Sequence, residues 1–175
     1  GSKPGLLVTE PSRIVTRLAA FALLGAVQLG SAHAAQTTIQ AKAKVVKSLE
    51  LSSKQDLDFG TISLSGTPGT YTVSIDLNGQ LTCPSGATCS GVAQPAIMNV
   101  AGSRGQVVII SVASSNLVNA FDGSTIPFTP IAPASISLTN SGSPGRDFNI
   151  GGSLAIPSTA DGSYAGNVVV TANYQ

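Results

Sequence analysis

The chain has 175 residues, with nine Lys and Arg against eight Asp and Glu, a net charge of +1 and only 10% charged residues. Charges this sparse and balanced argue against a nucleic-acid surface and against an acidic solvating tail. The only histidine is His33, which falls in a segment that we expect to be removed. The remaining chain would then lack the commonest general base and metal ligand. We therefore expect no enzyme, no catalytic residue, no metal site and no cofactor.

Residues 1–34 are predicted to be a secretory signal peptide. Its parts are a basic region at Arg13 and Arg17, an apolar stretch of twelve residues from Leu18 to Leu29, and an A-x-A cleavage site at Ala32-His33-Ala34. The apolar stretch is shorter than the roughly 20 residues that a membrane span needs. We interpret the Gly1-Ser2 start, which lacks Met, either as a cloning remnant or as an imperfect start of the sequence. The sequence thus predicts an exported protein whose mature chain, Ala35 to Gln175, has no membrane span.

The segment from Ala35 to Val46 contains neither Gly nor Pro and has a period of two. Its apolar side chains lie on one face of the predicted strand, and Gln40, Lys42 and Lys44 lie on the other. The apolar set is Ile39, Ala41, Ala43 and Val45. This strand is either a free N-terminal extension or the first strand of the chain's own fold, and the pattern is compatible with both.

Residues 47–175 contain short β-branched runs separated by Gly, Pro, Asn and Ser, and no helical period of ten residues or more. The predicted strands up to the middle of the chain are Leu49–Leu51, Asp58–Leu64, Thr70–Leu77 before an Asn78-Gly79 turn, and Ala96–Val100 and Gln106–Val112 around a hairpin loop at 101–105. Pro127, Pro130 and Pro133 predict an irregular or edge segment, because proline donates no ladder hydrogen bond. We expect Phe121 and Phe128 nearby to cover the core rather than to form an exposed patch.

The C-terminal part continues in the same way, with predicted strands at Ser135–Leu138, Phe148–Ile150 and Ser153–Ile156. The clearest strand is Ser163–Tyr174, whose side chains on one face are Tyr164, Val168, Val170, Ala172 and Tyr174. Many short strands at regular spacing in one domain of this size favour an all-β, immunoglobulin-like β-sandwich over residues 47–175.

Cys83 and Cys89 are the only cysteines. In an oxidising compartment we expect them to form a local disulfide, whose ring of seven residues contributes about 2.4 kcal/mol by loop entropy. A metal site is a poor alternative without histidine or a second cysteine pair, and the spacing is not C-x-x-C. Asp56 and Asp58 share a strand face, yet neither a hydrolytic pair nor a calcium loop follows from their spacing.

Two segments resemble a family of exported bacterial domains of uncharacterised function, which is itself similar to chaperone–usher pilus subunits. The first is Leu57-Asp58-Phe59-Gly60-Thr61-Ile62, with the Gly/Thr-rich hairpin after it, and the second is Gly162–Gln175. Tyr174 is the penultimate residue and Gly162 is the fourteenth from the end, as in subunits bound by a periplasmic chaperone. The resemblance covers the whole predicted mature chain, but the local Cys83–Cys89 pair departs from the disulfide that joins distant strands in many pilus subunits.

The resemblance implies a sandwich that lacks its last strand and is completed by a donated one. A chaperone strand fills the groove first, and the N-terminal extension of the next subunit then replaces it. In this sequence residues 35–46 would be the donor strand, with Ile39, Ala41, Ala43 and Val45 entering the groove. Gly162, Tyr164 and the strand from Val168 to Tyr174 would border the groove. Implied partners are identical subunits, a periplasmic chaperone and an outer-membrane usher.

The predicted function is therefore a structural subunit of a pilus or surface fibre, located at the cell surface after passage through the periplasm. The alternative is a secreted, self-complete β-sandwich that acts as an adhesin or matrix-binding module. A tip adhesin usually carries an additional binding domain, whereas this chain has one predicted domain and an extension.

Overall fold

The computed structural model describes residues 33–175, so the predicted signal peptide lies almost wholly outside the described residues. The chain divides into two units, residues 1–42 and 43–175. Of the first unit, residues 33–42 are described, and they are exposed and form no secondary structure. The part from 33 to 175 contains thirteen β-strands and no helix, which confirms the all-β prediction.

The strand bounds are β1 Glu50–Gln55, β2 Thr61–Leu64, β3 Thr70–Ile75, β4 Leu81–Thr82, β5 Ala87–Ser90, β6 Ala96–Ala101, β7 Val107–Val112, β8 Ser115–Asn119, β9 Thr125–Ile131, β10 Ser135–Ser137, β11 Arg146–Pro157, β12 Tyr164–Ala165 and β13 Val170–Tyr174. Within the described residues, no helix is long and apolar enough to cross a membrane.

The strands form three antiparallel sheets. The large sheet has eight strands: β1, β6, β11, β9, β8 and β12 follow one another, and β3 branches from β11 with β4 beside it. The small sheet has three strands in the order β10-β7-β13. The ribbon consists of β2 and β5. Because each layer is antiparallel and buries one apolar face, the predicted β-sandwich is confirmed.

Two groups of buried side chains hold the layers together. The small-sheet core joins β6 and β11 to β7 and comprises Val100, Val108, Ile110, Leu138, Phe148 and Ile150. The ribbon-side core lies on β3, β9, β11 and the segment between β1 and β2, and it comprises Phe59, Tyr71, Val73, Ile75, Ile126, Phe128, Leu154 and Ile156. Alternate residues of β3 and β9 are buried, as the period of two along a half-buried strand requires.

Strand β11 is one continuous strand of twelve residues, where the sequence predicted two short strands separated by turn glycines. Gly151 and Gly152 lie in its middle and are buried. A Cβ on Gly151 would collide with the backbone of Ile75, and one on Gly152 with the ring of Phe128. These glycines therefore permit close approach of a neighbouring strand and an aromatic ring, and they do not end the strand.

The predicted hairpin between Ala96–Val100 and Gln106–Val112 is wrong, although both strands exist. Strand β6 pairs with β1 and β11 in the large sheet, whereas β7 pairs with β10 and β13 in the small sheet. The loop at 101–105 therefore crosses from one layer of the sandwich to the other. Hydrophobic periodicity identifies a strand but does not identify its neighbour.

The prediction of an irregular segment at the prolines is wrong for Pro127 and Pro130, and the alternative of an edge holds only locally. Both lie in β9, which runs between β8 and β11. Strand β9 pairs with β8 over residues 125–128 and with β11 over residues 128–131, so it changes partner at Phe128. Each proline lies in a half of the strand that has one partner, where its ring nitrogen can face the open side.

The single predicted C-terminal strand Ser163–Tyr174 is divided in the structure. Tyr164 and Ala165 form β12 and pair with β8 in the large sheet, whereas Val170–Tyr174 forms β13 and pairs with β7 in the small sheet. Residues 166–169 carry the chain from one layer to the other. The C-terminal segment therefore spans the open side of the sandwich.

The two phenylalanines near the prolines allow a matched test of the core. Phe128 is 2% exposed and Phe121 is 98% exposed, so the expectation of core burial is correct for the first and wrong for the second. We expect Phe128→Ala to lower the free energy of unfolding by about 3–5 kcal/mol. Phe121→Ala should change it by less than about 0.5 kcal/mol. Urea unfolding of both variants measures this difference, and equal losses would contradict the core assignment.

Candidate functional site: an open groove beside the C-terminal strand

The C-terminal strand β13 has a neighbour on one side only. It pairs with β7, and no other described strand pairs with it. The Gln175 amide donates to the Val107 carbonyl, and the Ala113 amide donates to the Val169 carbonyl, so the odd-numbered residues bond towards β7. In an antiparallel ladder the alternate residues then direct their N–H and C=O groups to the other side. Those residues are Val170, Ala172 and Tyr174, and the other side is open.

Strand β1 is the second open edge. It ends the large sheet and pairs only with β6 among the described strands. Its residues Leu51, Ser53 and Gln55 line the same groove as Val168 and Val170 from the C-terminal segment. Two strand edges therefore border one gap, and each presents backbone groups that a further strand could bond.

The groove bordered by β1, by residues 56–64 and by residues 158–170 has a volume of about 1760 Å³ and an apolar floor, and Val170 is the residue of β13 that lines it. Side chains of the ribbon-side core and of β11 form this floor, namely Leu117, Ile126, Phe128, Ile150, Leu154 and Ile156. The apolar face of the C-terminal segment is only partly buried along its whole length, in contrast to the buried face of β11. The sandwich is thus packed on the closed side and uncovered along this groove.

One wall of the groove is formed by residues 56–64, which lead from β1 into the ribbon. Ile62, Leu64 and Cys89 pack the ribbon onto the ribbon-side core. The predicted disulfide between Cys83 and Cys89 is confirmed, and it ties β5 to the end of β4. The disulfide therefore holds the ribbon against the large sheet, to which β4 belongs.

The opposite wall is formed by residues 158–170. Gly162 has a φ of +98°, and a Cβ there would lie 2.7 Å from Nδ2 of Asn119. That amide nitrogen donates to the Asp161 carbonyl at 2.8 Å, and the Tyr164 hydroxyl lies 2.8 Å from Oγ of Ser124. Glycine is needed at 162 both for its conformation and for the approach of Asn119. We call the part of the body formed by Gly69, residues 119–124 and residues 157–163 the loop end.

The C-terminal end of β13 is held by the Tyr174 hydroxyl. This hydroxyl donates to the Lys47 carbonyl at 2.7 Å and accepts from the Ser103 amide at 2.8 Å. The Lys47 amide in turn donates to Oγ of Ser103 at 2.6 Å. A Cβ on Gly102 would collide with the Tyr174 hydroxyl, so a small residue is needed beside the ring. We call this part, formed by Lys47, residues 101–104 and Tyr174, the root end, because the N-terminal extension leaves the body there.

An exposed aromatic ring stands at the loop end on a well-bonded turn. Oδ1 of Asn119 accepts from the Phe121 amide at 2.9 Å, and Asn119 is itself 5% exposed. Hydrogen bonds from the hydroxyl and the amide of Ser124 hold the pKa of the Asp122 carboxyl below its ordinary value. The ring of Phe121 is therefore displayed on an ordered turn.

The residues before the root end form no strand in the structure. Residues 33–49 lie outside every strand, and Ile39 and Val45 are 87% and 90% exposed. Ala41, Ala43, Lys42 and Lys44 are exposed as well. The apolar face that the sequence predicts for this segment thus contacts little, and its use as a donor strand stays a prediction.

The predicted groove residues lie along one side of the body. Tyr164 and Val168 pack against the ribbon-side core, and Val170, Ala172 and Tyr174 pack against the small-sheet core. The sequence did not indicate that residues 56–64 form the other wall of this groove, nor which side chains form its floor, because long-range pairing brings these residues together. No group of three or more metal-ligating side chains occurs among residues 33–175.

Residues 49–174 match the family described as "Domain of unknown function (DUF4402)". The chain belongs to this family. The matched region covers the whole strand-forming part, from the residue before β1 to the last residue of β13. No curated protein and no solved structure matches the chain.

The Tyr174 hydroxyl provides a first test of the site. We expect Tyr174→Phe to lower the free energy of unfolding by about 1–2 kcal/mol, because it leaves the Ser103 amide and the Lys47 carbonyl without their partner. Hydrogen exchange at the Ser103 amide should accelerate. Thr171→Ala, on the exposed face of the same strand, is the control and should change stability by less than about 0.5 kcal/mol. Unchanged exchange at Ser103 would show that the hydroxyl does not hold the root end.

The disulfide provides a second test. Replacing both cysteines by Ser should lower the free energy of unfolding by about 2 kcal/mol through the larger entropy of the unfolded chain. Amide protection should fall in Thr61–Leu64 and Ala87–Ser90 and remain in β7 and β13. Reduction of the wild-type chain is the control and should reproduce both effects. Equal loss of protection in the ribbon and the small sheet would contradict a local role.

Proposed function

We propose that this protein is a structural subunit of a bacterial pilus or surface fibre that assembles by donor-strand complementation. The observation that carries the proposal is the groove, where β1 and β13 leave two unpaired strand edges above an apolar floor. A strand inserted between them would bond both edges and cover the floor. An unfilled gap of this kind exposes strand edges to non-specific pairing and aggregation. The open edges are explained if a strand of another subunit fills the gap.

The N-terminal extension has the dimensions and the pattern of the missing strand. Ile39–Val45 and Val168–Tyr174 are both seven residues long, so each spans about 20 Å when extended. Ile39 and Val45 would contribute about 1.5–3 kcal/mol each on burial, and Ala41 and Ala43 less. The ladder bonds to β1 and β13 would contribute about 1 kcal/mol each. The small alanines suit the middle of a narrow groove.

The ends of the body favour one direction of insertion from a second copy. Strand β13 runs from near the loop end to the root end, where Tyr174 bonds Lys47. A donor antiparallel to β13 would enter at the root end of the accepting copy and leave at its loop end. Its own body would then follow at that loop end, so opposite ends meet and the assembly continues as an open fibre. A donor parallel to β13 would leave at the root end, which the acceptor's own extension already occupies.

A subunit with an empty groove needs a temporary partner before assembly. We assign this role to a periplasmic chaperone that lends a strand, and the release step to an outer-membrane usher. The resemblance of Leu57–Ile62 and Gly162–Gln175 to domains similar to chaperone–usher pilus subunits supports this assignment. The subunit itself would carry out no chemical reaction, since its product is the fibre.

The test compares two double variants of the chain that begins at Ala35. Ile39→Lys with Val45→Lys places charges on the apolar face, and Thr38→Lys with Gln40→Lys places the same charges on the polar face. We expect filaments by electron microscopy and a ladder on unheated SDS gels from the wild type and the polar-face variant. The apolar-face variant should remain monomeric, because two ammonium groups cannot be buried on the groove floor.

Equal assembly of both double variants would overturn the proposal. A wild-type chain that stays monomeric, with a stability that does not change when residues 35–46 are deleted, would also overturn it. That second result would favour the secreted binding module. A monomer that is stabilised by its own extension would instead indicate that residues 39–45 complete the chain's own sandwich.

A further inference from the structure

Every charged residue that lines the groove is acidic. Among the described lining residues these are Asp56 and Asp58 on one wall and Asp161 on the other, and no Lys or Arg accompanies them. All three are exposed. The ion pair formed between residues 33 and 175 joins Lys54 and Asp147 away from the groove, so the three carboxylates have no cationic partner within this part of the chain.

The extension carries the opposite charge. Residues 35–47 contain Lys42, Lys44 and Lys47 and no Asp or Glu, so the segment has three positive charges and no negative one. Lys42 and Lys44 alternate with Ala41, Ala43 and Val45. When the apolar side chains face the groove floor, these two lysines face solvent along the rim.

The spacing of the two sets of charges also matches. Asp56 and Asp58 follow the end of β1 at Gln55 and are exposed, while Leu57 is half-buried and Phe59 is buried, so the two aspartates share one exposed side of this segment. Lys42 and Lys44 are likewise two residues apart and would face solvent on the neighbouring strand. Residues on the same face of adjacent strands lie about 4.5–5.5 Å apart when they are directly opposite, within reach of an ion pair.

We infer that the carboxylates on the groove rim select the donor strand and fix its register, with Lys42 and Lys44 of a second copy beside Asp56 and Asp58 and with Asp161 on the opposite wall. This inference rests on the proposed function. Apolar burial alone would tolerate a slip of two residues, since the small side chains of Ala41 and Ala43 fit several positions along the floor. A slip by two residues would leave one lysine and one aspartate without a partner, so the charges distinguish registers that the apolar face does not.

The experiment exchanges the charges in two variants of the chain that begins at Ala35. One variant carries Lys42→Glu and Lys44→Glu in the extension, and the other carries Asp56→Lys and Asp58→Lys on the rim. In low salt we expect each variant alone to assemble at least about tenfold more slowly than the wild type, because each meets like charges. An equal mixture of the two should recover the wild-type rate, since each donor then meets a rim of opposite charge.

Two controls accompany the mixture. Glu50→Lys changes a charge on the solvent-facing side of β1 that does not line the groove, and it should assemble like the wild type. In about 1 M salt, where the Debye length is about 3 Å, the differences between variants should largely disappear. Oδ1 of Asp58 accepts a hydrogen bond from the Gly60 amide. The double variant Asp56→Asn with Asp58→Asn therefore removes both rim charges and keeps a side-chain oxygen that can accept this bond.

Wild-type rates from each charge variant alone would overturn the inference and leave the proposed function standing. A mixture that assembles as slowly as its components, although each is folded by urea unfolding, would overturn it as well. Failure of the wild-type chain to assemble, or to bind a peptide of residues 35–47, would remove the proposed function and this inference together.

Discussion

One constraint underlies the structure: a strand edge beside an apolar groove needs a neighbouring strand to bond its backbone groups and cover the apolar side chains. In this chain the constraint is not satisfied along the groove. Among the described strands, β1 and β13 are each paired on one side only and border the same gap, and the ribbon strand β2 and the two-residue strand β12, which also line it, have one partner each. The apolar side chains of β13 are consequently half-buried, and the core beneath them remains accessible. The disulfide ties the ribbon to the large sheet, Gly162 shapes the turn in the wall at 158–170, and the Tyr174 hydroxyl bonds the end of β13 to Lys47.

Local features of this fold could be read from the sequence. The alternation in Thr70–Ile75, the Asn78-Gly79 turn and the six-residue spacing of Cys83 and Cys89 all act over a few residues, and the structure agrees with each of them. The apolar face of the C-terminal segment was also recognisable, because its period of two continues through the point where it changes sheet. These features depend on neighbours in sequence, so no knowledge of the whole fold is needed.

Non-local features could not be read in this way. Strand β9 tolerates two prolines because it changes partner at Phe128, and only the positions of β8 and β11 explain this. Gly151 and Gly152 resemble turn residues in sequence, yet they lie inside β11 because Ile75 and Phe128 approach it closely. The sequence did not indicate the acidic wall of the groove for the same reason. Asp56 and Asp58 border a groove only because the distant segment at 158–170 lies across from them.

The bond between Tyr174 and Lys47 has a mechanical consequence. In a fibre of the proposed kind, tension enters a subunit through the strand in its groove and leaves through its own extension at Lys47. Strand β13 takes part in both contacts, since its open edge bonds the incoming strand and its Tyr174 hydroxyl bonds the outgoing chain. The load can therefore pass along one strand as shear on a hydrogen-bond ladder. The two cores would bear little of it, and a stretched fibre could keep its subunits folded.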